Sequence, residues 1–158
     1  MNLENVKKYL KPIGIALGVG ILSTLCTMKN LSLFDDIISP ALTPPVFIFP
    51  IVWTILFILM GISSGIVYMK RNSNYDKSQT ALRVYALNLA MNFLWSIIFF
   101  NMRAFFFAFV WIVGLWLVIL WMIAEFYKVD ELAAKLQIPY LLWVSFAAYL
   151  NLMVAILN

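Results

Sequence analysis

Five long apolar runs constrain this chain more than anything else in it: Ile13–Met28, Val46–Met69, Val84–Phe100, Ala104–Ala124 and Ile138–Leu157. A helix needs about 20 apolar residues, within about 17–25, to cross the hydrocarbon of a bilayer. With the flanks that the shorter runs require, the spans fall at approximately 10–29, 46–69, 81–101, 104–126 and 135–157. No run alternates apolar and polar residues with a period of two, so a membrane β-barrel does not fit. Composition agrees. Hydrophobic residues make up 65% of the 158 and charged residues 11%, against about 45–50% and about 25% in a soluble domain. The expected fold is all-α: an integral membrane bundle of five transmembrane helices, one domain over 1–158. Pro12 suits the start of the first helix. Lys7, Lys8 and Lys11 precede that run as in a signal peptide, but no small-x-small cleavage site leads into a soluble domain, so a retained first span is expected.

Basic residues set the expected topology. Lys7, Lys8, Lys11, Lys70, Arg71, Lys77, Arg83, Lys128 and Lys135 fall on the side of the amino terminus, and only Lys29 and Arg103 on the other. The positive-inside rule then predicts a cytoplasmic amino terminus and an outside carboxyl terminus, as in a bacterial cytoplasmic membrane. The net charge of +4 and pI of about 9.3 read as loops facing anionic lipid. No Lys/Arg cluster is interleaved with stacking aromatics, so nucleic acid is not an expected partner. Cys26 stands alone and histidine is absent, so neither an intrachain disulfide nor a metal site is expected.

Loop lengths differ. Asn101–Arg103 makes a tight hairpin between spans three and four, whereas Lys29–Pro45 is long. That first loop places Leu31, Phe34, Ile37 and Ile38 beside Asp35 and Asp36 at helical spacing. It ends in a stretch stiffened by Pro40, Pro44 and Pro45. A stiff, half-apolar loop at the mouth of a bundle is a candidate lid, the alternative being an inert connector.

The five apolar runs hold no Asp, Glu, Lys, Arg or His, with Glu125 just beyond the fourth. Ion- and proton-coupled carriers place such groups near the midplane, so coupled transport is disfavoured. The absence of a Gly-Lys-Ser/Thr phosphate loop argues against ATP-driven pumping. The positive signal is on span three. Asn88, Asn92, Trp95 and Phe99 share one helix face, with Ser96 close by. Amides in hydrocarbon are costly unless paired. This face therefore looks inward, either as interhelical glue or toward a polar edge of a ligand. Span two carries Phe49, Trp53 and Phe57 on one stripe, and span five carries Pro139, Trp143, Ala147 and Leu150, with Asn151 one turn beyond Ala147. Together the three faces suit a cavity for a flat, largely apolar ligand. Gly14/Gly18 and Gly61/Gly65 each permit close helix contact, within the bundle or in a homodimer. Trp111, Trp116 and Trp121 share no face and are read as facing lipid or a partner.

These residues, in this order, resemble the TspO/MBR family, which takes in translocator proteins and bacterial tryptophan-rich sensory proteins. The resemblance lies in Pro40-Ala41-Leu42-Thr43-Pro44-Pro45, in Phe49-Pro50 with Trp53, and in Asn88, Asn92, Trp95-Ser96, Phe99-Phe100 and Arg103. It continues through Pro139-Tyr140-Leu141, Trp143, Phe146-Ala147 and Leu150-Asn151. It implies five packed helices with a ligand pocket beneath the first loop. It further implies binding of porphyrins such as protoporphyrin IX or haem, and of flat hydrophobic drug-like molecules, with no cofactor required. The pocket positions it carries over are Trp53, Asn92, Trp95, Phe100, Trp143, Ala147 and Leu150, with Ser23, Cys26 and Phe49 beside them. Phe107 stands where some members have Trp. Certain members are described as degrading porphyrin in light and oxygen, with residues like Trp53 and Trp143 implicated; a passive carrier or scaffold is a further alternative. The animal sterol motif is not matched, because Leu152 occupies its tyrosine position and no Lys or Arg follows Lys135.

Overall fold

Each apolar run becomes a helix, and two of the helices begin earlier than hydropathy alone suggests. The computed structural model describes residues 3–30 and 32–158, with the side chains of 3–6, 34 and 35 outside the description. Leu31 and the side chains of Phe34 and Asp35 in the first loop therefore lie outside the described residues. In chain order the helices are α1 (Leu3–Thr27), α2 (Leu33–Asp36), α3 (Ile48–Met69), α4 (Tyr75–Ser96), α5 (Phe105–Tyr127), α6 (Glu131–Lys135) and α7 (Ile138–Leu157). Among the described residues, five helices are long and apolar enough to cross a membrane, namely α1, α3, α4, α5 and α7. The fold is a five-helix membrane bundle.

Pro12 does not start α1; it lies inside it. A proline there forfeits one backbone bond, which a membrane helix tolerates when a neighbour packs against the site. The Pro12 ring rests near Gly65 of α3. Pro50 and Pro139, by contrast, sit in the first turns of α3 and α7, where no intrahelical donor is lost. The start of α4 at Tyr75 precedes the expected boundary near 81, because Ser78 and Ala81 are fully buried and extend its inward face.

The most extensive helix contacts join α1 to α3, α4 to α5 and α5 to α7. Glycine decides how close α1 and α3 come. A Cβ added at Gly61 would meet the Cα of Ile13 at 2.5 Å, and one at Gly65 would meet the Tyr9 ring at 2.9 Å. That pair is used inside the bundle, whereas Gly14 and Gly18 face open space.

Short α6 closes the end of the bundle away from the first loop. Asp130 caps it by accepting from the Ala133 N–H at 2.9 Å, and Ser63 of α3 donates to the Ala133 carbonyl at 2.6 Å. Lys70 pairs with Asp130 across the same end. Burial acts to raise the Asp130 pKa. The Lys70 hydrogen bond, the Ala133 N–H and the Lys70 charge outweigh it and leave the carboxyl below its ordinary value.

At the loop end, α4 runs into a π-helical turn over Ile97–Asn101, with Met102 N–H donating to the Ile97 carbonyl at 3.1 Å. Arg103 then takes a left-handed φ of 51° before α5 begins. The first loop is fastened at several points. Leu33 of α2 is fully buried in a cluster with Ile98, Phe99, Ala108 and Val154. Arg103 pairs with Asp36 at 3.0 Å. Asn158 accepts from the Ile38 N–H at 2.9 Å and donates to its carbonyl at 3.3 Å. Thr43 N–H closes a turn onto the Pro40 carbonyl at 3.3 Å, with Leu42 at φ 70° inside it.

Candidate functional site

Beneath that loop the helices do not meet, and they leave a partly open cavity of about 570 Å³. Ile37, Pro40, Thr43 and Phe47 form the side toward the loop. α3 contributes Phe49, Trp53 and Phe57 at steps of four, so one helix face supplies an aromatic wall. α4 contributes Asn92, Trp95, Ser96, Phe99 and Phe100. The π turn brings the adjacent Phe99 and Phe100 both onto the hollow, their rings 5.0 Å apart and edge-on. α7 adds Ala147, Leu150, Asn151 and Val154, and α1 adds Gly20, Ser23, Thr24 and Thr27.

The aromatic wall is held by ring contacts. Trp53 lies 5.7 Å from Phe57 and 6.2 Å from Tyr140, and Trp95 stacks on Phe99 at 5.3 Å. Contacts of this kind add about 0.5–1.5 kcal/mol each beyond burial. The polar groups are joined in two short chains. In one, Asn92 Nδ2 donates to the Tyr140 hydroxyl at 3.0 Å, and that hydroxyl donates to Asn88 Oδ1 at 3.0 Å. In the other, Trp95 Nε1 donates to Asn151 Oδ1 at 3.1 Å, and Asn151 Nδ2 donates to the Phe105 carbonyl at 2.9 Å. Ser23 donates to Ser96 at 2.7 Å, tying α1 to α4. The site offers broad ring faces, small residues at Gly20 and Ala147, and fixed amides at two places. Among the described residues no titratable side chain lines it, and no cluster of potential metal ligands occurs.

Of the positions named from sequence, Ser23, Phe49, Trp53, Asn92, Trp95, Phe100, Ala147 and Leu150 meet on the cavity, as does Pro40 of the loop. Others do not. Asn88 is fully buried below it and holds Tyr140, so it serves as glue between α4 and α7. Trp143 stands against Phe49 at 6.0 Å and Phe146 at 5.7 Å, outside the residues that line the hollow. Cys26 is a free, exposed thiol, and its carbonyl accepts from Asn101 Nδ2 at 3.0 Å. Phe107 is half exposed on α5 and packs on Trp111 at 6.1 Å. Pro44 and Pro45 belong to the loop without lining the cavity. Nor do Trp111 and Trp116 simply face outward. Trp111 donates to the Met91 carbonyl at 2.9 Å and Trp116 to Ser145 at 2.8 Å, stitching α5 to α4 and α7; Trp121 is half exposed and bonds Glu125. On α1 only Ser23 of the wall was named from sequence; Gly20, Thr24 and Thr27 were missed. Gly20, Ser23 and Thr27 recur at steps of three and four, a signal present but faint among apolar neighbours.

A bundle of five membrane-spanning helices around an aromatic hollow beneath the first loop defines an integral membrane protein with an apolar internal cavity. The profile of the TspO/MBR family matches residues 12–157, and the chain belongs to that family. It is 38% identical over 149 residues to the tryptophan-rich protein TspO of Chlorobaculum tepidum, covering 92% of each chain. It is 30% identical over 136 residues to the human translocator protein, covering 86% of this chain and 80% of the relative. Protein CrtK of Rhodobacter capsulatus is 34% identical over 125 residues, covering 79% and 78%.

Proposed function

We propose that the protein is a membrane receptor or sensor that binds porphyrins and other flat hydrophobic molecules in this cavity. The observation that carries the reading is the cavity's lining: Phe49, Trp53, Phe57, Trp95, Phe99 and Phe100 around one space of about 570 Å³, with the Asn92 amide among them. Ligand sites of about 300–1,000 Å³ with mostly aromatic walls and few polar groups fit drug-sized, ring-bearing molecules. The nine-to-two split of basic residues supports an amino terminus in the cytoplasm, in a bacterial cytoplasmic membrane. For a homodimer, Gly14 and Gly18 offer the small-residue face not already used within the bundle. The enzymatic reading, with Trp53 and Trp143 both against a macrocycle, draws less support because only Trp53 lines the hollow.

Titration with protoporphyrin IX in detergent, followed by tryptophan fluorescence, tests the reading. Saturable quenching is expected, and Trp53→Phe combined with Trp95→Phe should weaken binding about tenfold, two stacking contacts being altered. A double variant that quenches and binds like wild type would overturn the site assignment.

A further inference from the structure

Between the cavity and α6 the interior of the bundle is not apolar throughout. On α4, Ser78, Ala81, Tyr85, Asn88 and Asn92 follow one another at steps of three and four, and every one is buried. Gln137, the N-cap of α7, precedes Tyr140 by three residues and both are buried, at 0% and 1% exposure. The two stripes are joined at the top, where Tyr140 bonds Asn92 and Asn88. Lower down they carry polar atoms without partners. Ser78 Oγ, the Tyr85 hydroxyl and both amide atoms of Gln137 are buried and make no hydrogen bond among the described residues. Tyr85 lies beside Ser64 of α3, whose only hydroxyl hydrogen goes to the Gly61 carbonyl at 3.1 Å, so Ser64 can accept from Tyr85 but leaves the Tyr85 oxygen without a donor. More than about nine in ten buried polar atoms in proteins are paired, and an unpaired amide is expensive in an apolar interior. Four unpaired atoms, two on the α4 stripe and two on Gln137, therefore mark a place where a small molecule completes the bonding.

That molecule must both donate and accept, because a hydroxyl and a carboxamide present both needs. No charged side chain lies in the stripe, which leaves an ion without a counter-charge. We propose that Ser78, Tyr85 and Gln137 bind ordered water, and that this water extends the Asn92–Tyr140–Asn88 chain from the cavity floor toward the α6 end. Such waters make about three hydrogen bonds each, which the available donors and acceptors supply. The apolar hollow and the hydrated stripe then lie end to end, so Asn92 touches a ligand on one side and a water-linked hydrogen-bond chain on the other. This does not depend on what the cavity binds.

Radiolytic hydroxyl footprinting of the protein in lipid nanodiscs tests it, because radicals formed from bound water oxidise buried side chains beside it. Tyr85, 6% exposed, should be oxidised at a rate within about threefold of exposed Tyr75, and Gln137→Leu should slow Tyr85 several-fold while leaving Tyr75 unchanged. Ser78→Ala is the smaller substitution and should slow Tyr85 as well, should Gln137→Leu fail to fold. Tyr85 unlabelled in wild type while Tyr75 reacts would overturn the proposal. So would Tyr85 labelling that neither variant alters.

Discussion

The same two helices, α1 and α3, behave differently at their two ends. Near Ile13 and Gly61 the backbones are in direct contact, whereas near Gly20 the next atoms met belong to the Phe57 ring. Toward α6 the bundle is closed by glycine and by a cap; toward the first loop it is propped open by aromatic side chains and covered. The difference teaches that the hollow is not a packing fault. Backbone contact at one end fixes the helices, and rings at the other hold the walls apart at a distance set by their own width.

The strongest way to break this contrast is Gly61→Val. Its Cβ would fall 2.5 Å from the Ile13 Cα, and a backbone atom cannot rotate away. A loss of about 3 kcal/mol is expected, read as a large fall in melting temperature in detergent, while Gly14→Ala, with open space around it, should cost nothing. Next comes Leu33→Ala, which removes the buried anchor of α2. It should weaken loop closure by about 2 kcal/mol, seen as faster hydrogen exchange at Ile37 and faster ligand release with little change in global melting. Gly20→Ala sharpens the comparison. Its Cβ meets only the Phe57 ring at 2.6 Å, and a ring can turn. Stability should change by less than about 1 kcal/mol, but ligand affinity should drop as the ring shifts within the cavity wall.

Two charge tests follow with smaller effects. Asp36→Asn removes an exposed ion pair with Arg103 and should cost about 0.5 kcal/mol of loop closure at most, an effect that added salt reproduces in wild type. At the closed end, Asp130 has a lowered folded pKa. Its stabilisation is complete above the ordinary aspartate pKa and is lost as pH falls through the lower folded value. Melting temperature should therefore decline below about pH 4, and Asp130→Asn should remove that part of the decline.

Much of this was legible beforehand. Asn92, Trp95 and Phe99 declare their shared face through helical spacing, and long apolar runs leave little choice but spans. Reading the same three-and-four rhythm backward from Asn88 reaches Tyr85, Ala81 and Ser78, which hydropathy placed at or beyond the edge of the span. The misjudged positions have physical causes. Pro12 looks like a helix start because proline usually is one in water, but here a neighbouring glycine accommodates the ring. Trp143 shares its helix with Ala147, yet spacing gives a direction around the axis and not the depth at which Phe49 intervenes. Cys26 is one step from Thr27, and that step of about 100° moves a side chain from wall to outer surface.

The wide turn at Ile97–Asn101 amounts to one surplus residue spliced into an otherwise regular rod. Removing a single amino acid there would let α-helical bonding resume, rotating all that follows by about 100° relative to α4. Phe100 would leave the chamber, and the Phe105 carbonyl would swing off Asn151. Elsewhere in the bundle a deletion wrecks a span; at this spot it would trade one chamber geometry for another, which makes that turn the natural place to retune what fits inside.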